Sequence, residues 1–351
     1  MQFRIGIEEG DKVRVVSLGN GYDFRSASLR FFGVDEVEML SGHNILPSRQ
    51  SEEEEGEDKE KGKKSLHRRN YSRRGDLTQR HDTPSSFLYH VSMMIFDSHF
   101  HLLSMLEKGM EPSLPEEITG MECGTVPDDA EKRIALVGDR KSVFLSMGAG
   151  PWCTAESYPL SVDGTIKALE RELEKYGADA VGECGFDFHW KDYGSAEEQE
   201  KLFLYQAKKA EELSVPLIIH SRDADEMLLR HINMINERTI MHCFSSGKEM
   251  MLRLLERGAY ISFAGNVTYK SNKDIQEAAA ECPVDRILYE TDSPYLTPVP
   301  HRGELNRMEN TEYTLDFLSS LRREDREELK RNVISNFRLL MKNGESVVRR
   351  Q

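Results

Sequence analysis

From residue 94 onward the chain alternates between short, nearly continuous apolar runs and longer amphipathic stretches. The runs fall at 94–98, 118–124, 142–148, 179–183, 215–220, 238–242, 259–264 and 286–290. Continuous apolar character, in place of strict alternation, is what strands buried on both faces require. Between them, residues 165–176, 196–213, 224–236, 248–257 and 273–281 read as amphipathic helices with one apolar stripe each. Strand and helix in turn predict a parallel sheet. Eight strands in roughly 250 residues match an α/β fold of the closed (β/α)8 TIM-barrel type. A last helical stretch, 324–341, would cover the outside. The predicted barrel domain is 93–343, followed by a tail at 344–351.

The preceding 92 residues follow another pattern. Residues 1–48 hold short alternating apolar pieces such as Val13-Arg14-Val15-Val16 and the piece 29–32, which could form a few strands or a helix but carry no motif. Residues 49–92 contain an acidic-then-basic run and almost no apolar positions, so they cannot bury enough surface to offset the entropy of ordering. They are expected to be a disordered charged linker. Met93-Met94 stands just before the first strand, and residues 1–92 read as an N-terminal extension outside the working domain.

The polar residues that close the apolar runs change the picture. The first run delivers His99 and His101, which share a face of an extended segment because side chains alternate. Alone, such a pair is a weak signal. The fourth run ends Gly182-Glu183-Cys184-Gly185-Phe186-Asp187, the fifth at His220, the sixth at His242, and the eighth at Glu290-Thr291-Asp292. All C-terminal strand ends of a barrel meet on one face. A buried histidine or carboxylate costs stability unless it is paired or ligated, and five strand ends of one barrel carry them. Metal binding follows as the expectation. Four histidines and two carboxylates exceed the three protein ligands of a single catalytic Zn²⁺ and suit two ions about 3.5–4 Å apart. Imidazole with carboxylate leaves Mg²⁺, Mn²⁺ and Zn²⁺ open.

Composition narrows the setting. Hydrophobic residues make up 38% of the 351, ordinary for a water-soluble globular chain. No apolar run approaches the ~20 residues of a membrane helix, and the first residues lack a signal-peptide pattern. Five widely spaced cysteines without a Cys-x-x-Cys indicate a reducing, cytoplasmic setting. Net charge is −14, and residues 1–92 hold 15 basic and 16 acidic residues, so nearly all the excess acid lies in 93–351. Such a domain is no passive polyanion binder; bound cations or local basic residues would have to draw in a nucleic acid. No membrane contact and no obligate protein partner are expected.

These stretches together resemble the TatD-type metal-dependent deoxyribonucleases of the amidohydrolase-like barrels. The resemblance runs from about Met94 to Phe337 and rests on Phe96-Asp97-Ser98-His99-Phe100-His101-Leu102, Gly182 to Asp187, Ile219-His220-Ser221-Arg222-Asp223-Ala224 and His242-Cys243-Phe244-Ser245. It continues through Ile261 to Lys270 and Glu290-Thr291-Asp292-Ser293-Pro294-Tyr295-Leu296 to Gly303. It implies His99, His101, Glu183, His220, His242 and Asp292 as metal ligands. His99, His101 and Asp292 would hold one ion, His220 and His242 the other, with Glu183 between them. Asp292 would also serve as general base. Arg222, Lys270, His301 and Arg302 are candidate phosphate contacts, and Asn266 could orient substrate. The implied activity is 3′ exonuclease trimming of DNA ends or single-stranded DNA.

Three departures stand out. Leu103-Ser104 replaces an acidic residue often found after the His-x-His segment, the family's Gly-x-His-Pro reads Gly148-Ala149-Gly150-Pro151, and residues 1–92 have no counterpart. Two other readings remain open. One is hydrolysis of an amide or ester on the same barrel, although many such enzymes use a strand-four lysine where Glu183 stands here. The other is a metal-loaded binding protein without turnover.

Overall fold

The computed structural model describes residues 94–341 and 346–348, and ahead of them the backbone of three short strands. Those strands, Phe3–Glu8, Lys12–Ser17 and Val37–Leu40, form a small sheet, the first pair antiparallel and the second parallel. The alternating apolar piece Val13–Val16 thus lies in a strand; the piece 29–32 and the expected linker 49–92 lie outside the described residues.

The barrel strands are β1 (Ile95–Phe100), β2 (Ile118–Glu122), β3 (Val143–Met147), β4 (Ala180–Asp187), β5 (Leu217–Arg222), β6 (Thr239–Met241), β7 (Tyr260–Phe263) and β8 (Ile287–Tyr289). They pair in sequence order, every pair parallel. The chain just beyond β8 completes the ring against β1: the Asp292 amide donates to the His99 carbonyl (3.0 Å) and the His101 amide to the Ser293 carbonyl (2.9 Å). The result is the eight-stranded, nearly closed barrel that the apolar runs predict. All eight runs are strands.

The helices are α1 (Leu102–Glu107), α2 (Ala130–Val137), α3 (Val162–Tyr176), α4 (Ala196–Leu213), α5 (Asp225–Arg230), α6 (Lys248–Leu255), α7 (Lys273–Glu281), α8 (Thr311–Arg322) and α9 (Arg326–Leu340). Their starts follow from local chemistry. Ser195 accepts from the Glu198 amide while Glu198 reaches back to the Ser195 amide, a capping box that opens α4. Ser161 and Asp325 cap α3 and α9 from one side only, each side chain accepting from a first-turn amide. The expected helix at 224–236 is shorter than its apolar period, ending as α5 and resuming as a 3-10 turn, Ile232–Met234. Two helices, not one, follow β8. The last of them covers the sheet through Phe337, whose ring meets Phe96 edge-on at 5.2 Å and Phe144 at 5.5 Å. No helix among the described residues is long and apolar enough to cross a membrane.

Candidate metal centre

Four imidazoles and two carboxylates meet at the C-terminal end of the barrel. His99 and His101 do share one face of β1, with their Nε2 atoms 3.2 Å apart. Both lie against Glu183 Oε1, His99 Nε2 at 3.1 Å and His101 Nε2 at 3.2 Å. The other oxygen of Glu183 faces a second pair: Oε2 is 3.2 Å from His242 Nε2 and 3.6 Å from His220 Nδ1. Asp292 Oδ1 closes the first group, 3.2 Å from His101 Nε2. Close approach of β4 and β5 makes this possible. Gly185 sits opposite His220 with φ +132°, and a Cβ there would stand 2.0 Å from the His220 carbonyl oxygen, so only glycine fits.

The outer ring nitrogens show which atoms are left for ligation. His101 Nδ1 lies 3.0 Å from the Cys123 carbonyl, an acceptor only, so Nδ1 carries the proton and Nε2 a lone pair. His242 Nδ1 lies 3.0 Å from Glu290 Oε1, which also accepts from the Cys243 amide at 2.6 Å. His220 Nε2 lies 3.1 Å from Asp187 Oδ2. Carboxylate and carbonyl partners of this kind set the tautomer of metal-ligating histidines. Lone pairs on His101 Nε2, His242 Nε2 and His220 Nδ1 then point at the Glu183 oxygens, and the last two face each other across 3.4 Å. Lone pairs opposed in this way repel unless positive charge lies between them. The residues therefore fit divalent ions, and two sets stand out by mutual distance: His99, His101 and Asp292, and His99, Glu183 and His242. His220 enters the second set through its contacts with Glu183 and His242.

The electrostatics agree. Burial pushes Glu183 up, but His242, His99 and the hydrogen-bonding imidazoles of His101 and His220 outweigh it and hold the carboxyl well below its usual range. Asp292 is likewise held down, against burial, by His101 and then by the charge of His242. Burial pulls His101 and His242 down, yet the facing carboxylates lift both well above the ordinary imidazole value. Positive charge is wanted at those nitrogens, and a proton or a divalent ion supplies it.

The predicted substrate contacts are more scattered. Arg222 ends β5 with its guanidinium 5.8 Å from the centre of the Trp190 ring, and Arg302 lies over Tyr269 at 4.1 Å. Lys270 is exposed. His301 is occupied by Tyr313 Oη (3.1 Å) and Glu304 (3.4 Å). Asn266 is buried beside Cys243, its Oδ1 without a partner. Sequence reasoning missed three positioning carboxylates. Glu290 and Asp187 orient His242 and His220, and Asp97 holds the Asp292 loop by accepting from the Thr291 amide (2.9 Å) and hydroxyl (2.5 Å). Each belongs to a segment already singled out, so the test that selected Glu183 and Asp292 could have found them.

Relatives place this geometry. A family model for TatD related DNases matches residues 96–342. The uncharacterized metal-dependent hydrolase YcfH of Escherichia coli K12 is 31% identical over 258 residues, 70% of this chain and 94% of that protein. An uncharacterized metal-dependent hydrolase of Mycoplasma pneumoniae is 35% identical over 267 residues, 71% of this chain and 99% of its own. Among solved structures, the TatD homologue YjjV of Escherichia coli K12 superposes with a TM-score of 0.60 at 24% identity, covering 70% of this chain and 97% of that one, a likeness of fold. With its barrel and its converging imidazoles and carboxylates, the chain belongs to the TatD-related DNase family of metal-dependent hydrolases.

Proposed function

We propose that the protein is a two-metal phosphodiesterase that trims DNA ends as a 3′–5′ exonuclease. One observation carries the reading: the two oxygens of Glu183 face two separate sets of imidazole nitrogens, all within 3.6 Å. His99, His101 and Asp292 would hold one divalent ion, His220 and His242 the other, with Glu183 bridging. Ions held there, Mg²⁺, Mn²⁺ or Zn²⁺, supply Lewis-acid polarisation of phosphoryl oxygens and of water at neutral pH. Asp292, kept ionised by the imidazoles around it, takes the proton from the attacking water. The water oxygen would bond to phosphorus as the bond from phosphorus to the 3′ oxygen breaks, and that oxygen would leave as a hydroxyl by taking up the proton that Asp292 received. Arg222, Lys270 and Arg302 are exposed cations suited to flanking phosphates, against a chain of net charge −14. Asn266 would orient the substrate, and His301, paired with Tyr313, would brace the loop that carries Arg302. The family description and the names of the relatives support hydrolysis with metal.

A nuclease assay on end-labelled single-stranded DNA, with Mg²⁺, Mn²⁺ or Zn²⁺ returned to stripped enzyme, tests the reading. The wild type should release mononucleotides. Glu183→Ala and Asp292→Ala should each lose on the order of 10³-fold in rate, the scale of removing a preorganised group at a reacting centre. Activity equal to wild type in either variant would reject the site. Turnover of an ester or amide panel with DNA left intact would move the assignment to another bond.

A further inference from the structure

Trp152 and Trp190 are the chain's two tryptophans, and both belong to loops that follow the C-terminal ends of barrel strands, on the His220 side of the centre. Trp152 sits in the turn Pro151–Thr154 after β3, and its indole lies across Gly150. A Cβ at residue 150 would stand 2.1 Å from a ring atom, so the ring occupies the space a side chain would need there. Its Nε1 donates to the Thr125 carbonyl at 2.9 Å, which fixes the plane. The ring then meets the His220 imidazole edge-on at 5.6 Å. Tyr193 continues the wall at 6.2 Å from Trp152, and Trp190 follows at 6.4 Å from Tyr193. Trp190 is 49% exposed, with the Arg222 guanidinium beyond it. An anchored aromatic against the centre, leading to a half-exposed tryptophan and a guanidinium, is an arrangement suited to unpaired bases and their phosphates.

We propose that this wall is a nucleobase-stacking subsite for a single-stranded nucleic-acid end. Trp152 seats the base of the nucleotide whose phosphate lies at the Glu183–His220 half of the centre, and Arg222 meets a neighbouring phosphate. Bases inside a duplex are stacked on both faces by their neighbours and held in pairs, so a base that turns onto the indole comes most readily from a frayed or single-stranded end. The position that carries histidine in the resembled Gly-x-His-Pro is Gly150, and Trp152 covers it. The inference rests on the phosphodiesterase reading, and its test separates the two.

In metal-loaded Trp190→Phe protein all tryptophan emission comes from Trp152. Deoxyadenosine 5′-monophosphate should quench it saturably, and deoxyribose 5-phosphate, with the same phosphate and sugar, should do so about 10-fold more weakly or not at all. In kinetics, the wild type should prefer a dinucleotide over its abasic counterpart by about 10-fold in kcat/KM. Trp152→Leu should lose that preference, chiefly through KM, and Trp152→Phe should restore it. Equal hydrolysis of both substrates by the wild type, or a preference that survives Trp152→Leu, overturns the subsite and leaves the phosphodiesterase reading standing. Hydrolysis of neither substrate, with base-dependent quenching intact, overturns the reading of the centre and supports the wall. Equal quenching by the two monophosphates overturns the wall itself.

Discussion

The barrel holds two buried clusters of carboxylates, and they handle their charge in opposite ways. Between β2, β3, α2 and α3, Arg133 donates to Glu122 (2.8 Å), Asp129 (2.6 Å) and the Ser146 carbonyl (2.9 Å). One guanidinium faces three acids there, because Glu172 lies in the same cluster. Burial pushes Glu122 up, and it pushes Glu172 up to about 7, with Arg133 only partly opposing it in each case. In that cluster burial favours the protonated form of Glu122 and Glu172, and one fixed cation opposes it only in part. At the barrel mouth Glu183 and Asp292 are held down instead, by neutral-to-cationic imidazoles that face them. The first cluster is complete with a fixed cation of its own. The second keeps anionic oxygens and opposed lone pairs together, an arrangement that calls for a removable cation. Burial and acidic residues are common to both, so neither marks a functional site; the partner does.

The contrast can be broken by experiment. Arg133→Met should produce the largest loss of stability, about 3–5 kcal/mol, because it leaves buried carboxylates without their cation. Mn²⁺ should raise the melting temperature of this variant by as much as it raises that of the wild type; a markedly different gain would mean that the two clusters are not independent. Next, Glu290→Gln and Asp187→Asn should each weaken metal binding by roughly 10–100-fold while leaving the ligands in place. Metal titration by calorimetry reads this directly, and unaltered affinity would remove these residues from the centre. The smallest effect concerns Glu172. Its folded value lies above the ordinary carboxylate value of 4.5, so its contribution to stability is present at low pH and lost as pH rises through about 7. Glu172→Gln should therefore raise the melting temperature at pH 8, by about 1 kcal/mol in stability, with the gain vanishing near pH 4. A gain that is the same at both pH values would show that the carboxyl does not titrate there.

Much of this was legible beforehand. Strands buried on both faces write themselves as apolar runs, so all eight appeared in the sequence, and each residue of the proposed centre was visible as a polar residue closing a run. The choice of nitrogen was not. His242 Nε2 faces Glu183 because Nδ1 is held by Glu290, a residue 48 positions away, and His220 presents Nδ1 because Asp187, 33 positions away, holds Nε2. Tautomers are decided by such long-range neighbours, which no local pattern records. The aromatic wall was hidden for a related reason: Gly150 and Trp152 read as an ordinary turn until the ring is seen lying over the glycine. His301, singled out for its place beyond Asp292, turns instead to Tyr313 in the first turn of α8, a neighbour that only the folded chain brings near.

His101 and Asp292 stand 191 positions apart, and the backbone bonds that close the ring run through the same few residues that finish the centre. Shape and reactivity are thus completed together, late in the chain. While the polypeptide is still being made, a nascent product that stops short of residue 290 carries the four histidines of the centre and Glu183 but neither Asp292 nor a closed ring. Such fragments, whether from interrupted translation or from a proteolytic cut ahead of β8, would be inert by construction, and the cell would meet the hydrolase only as a finished molecule.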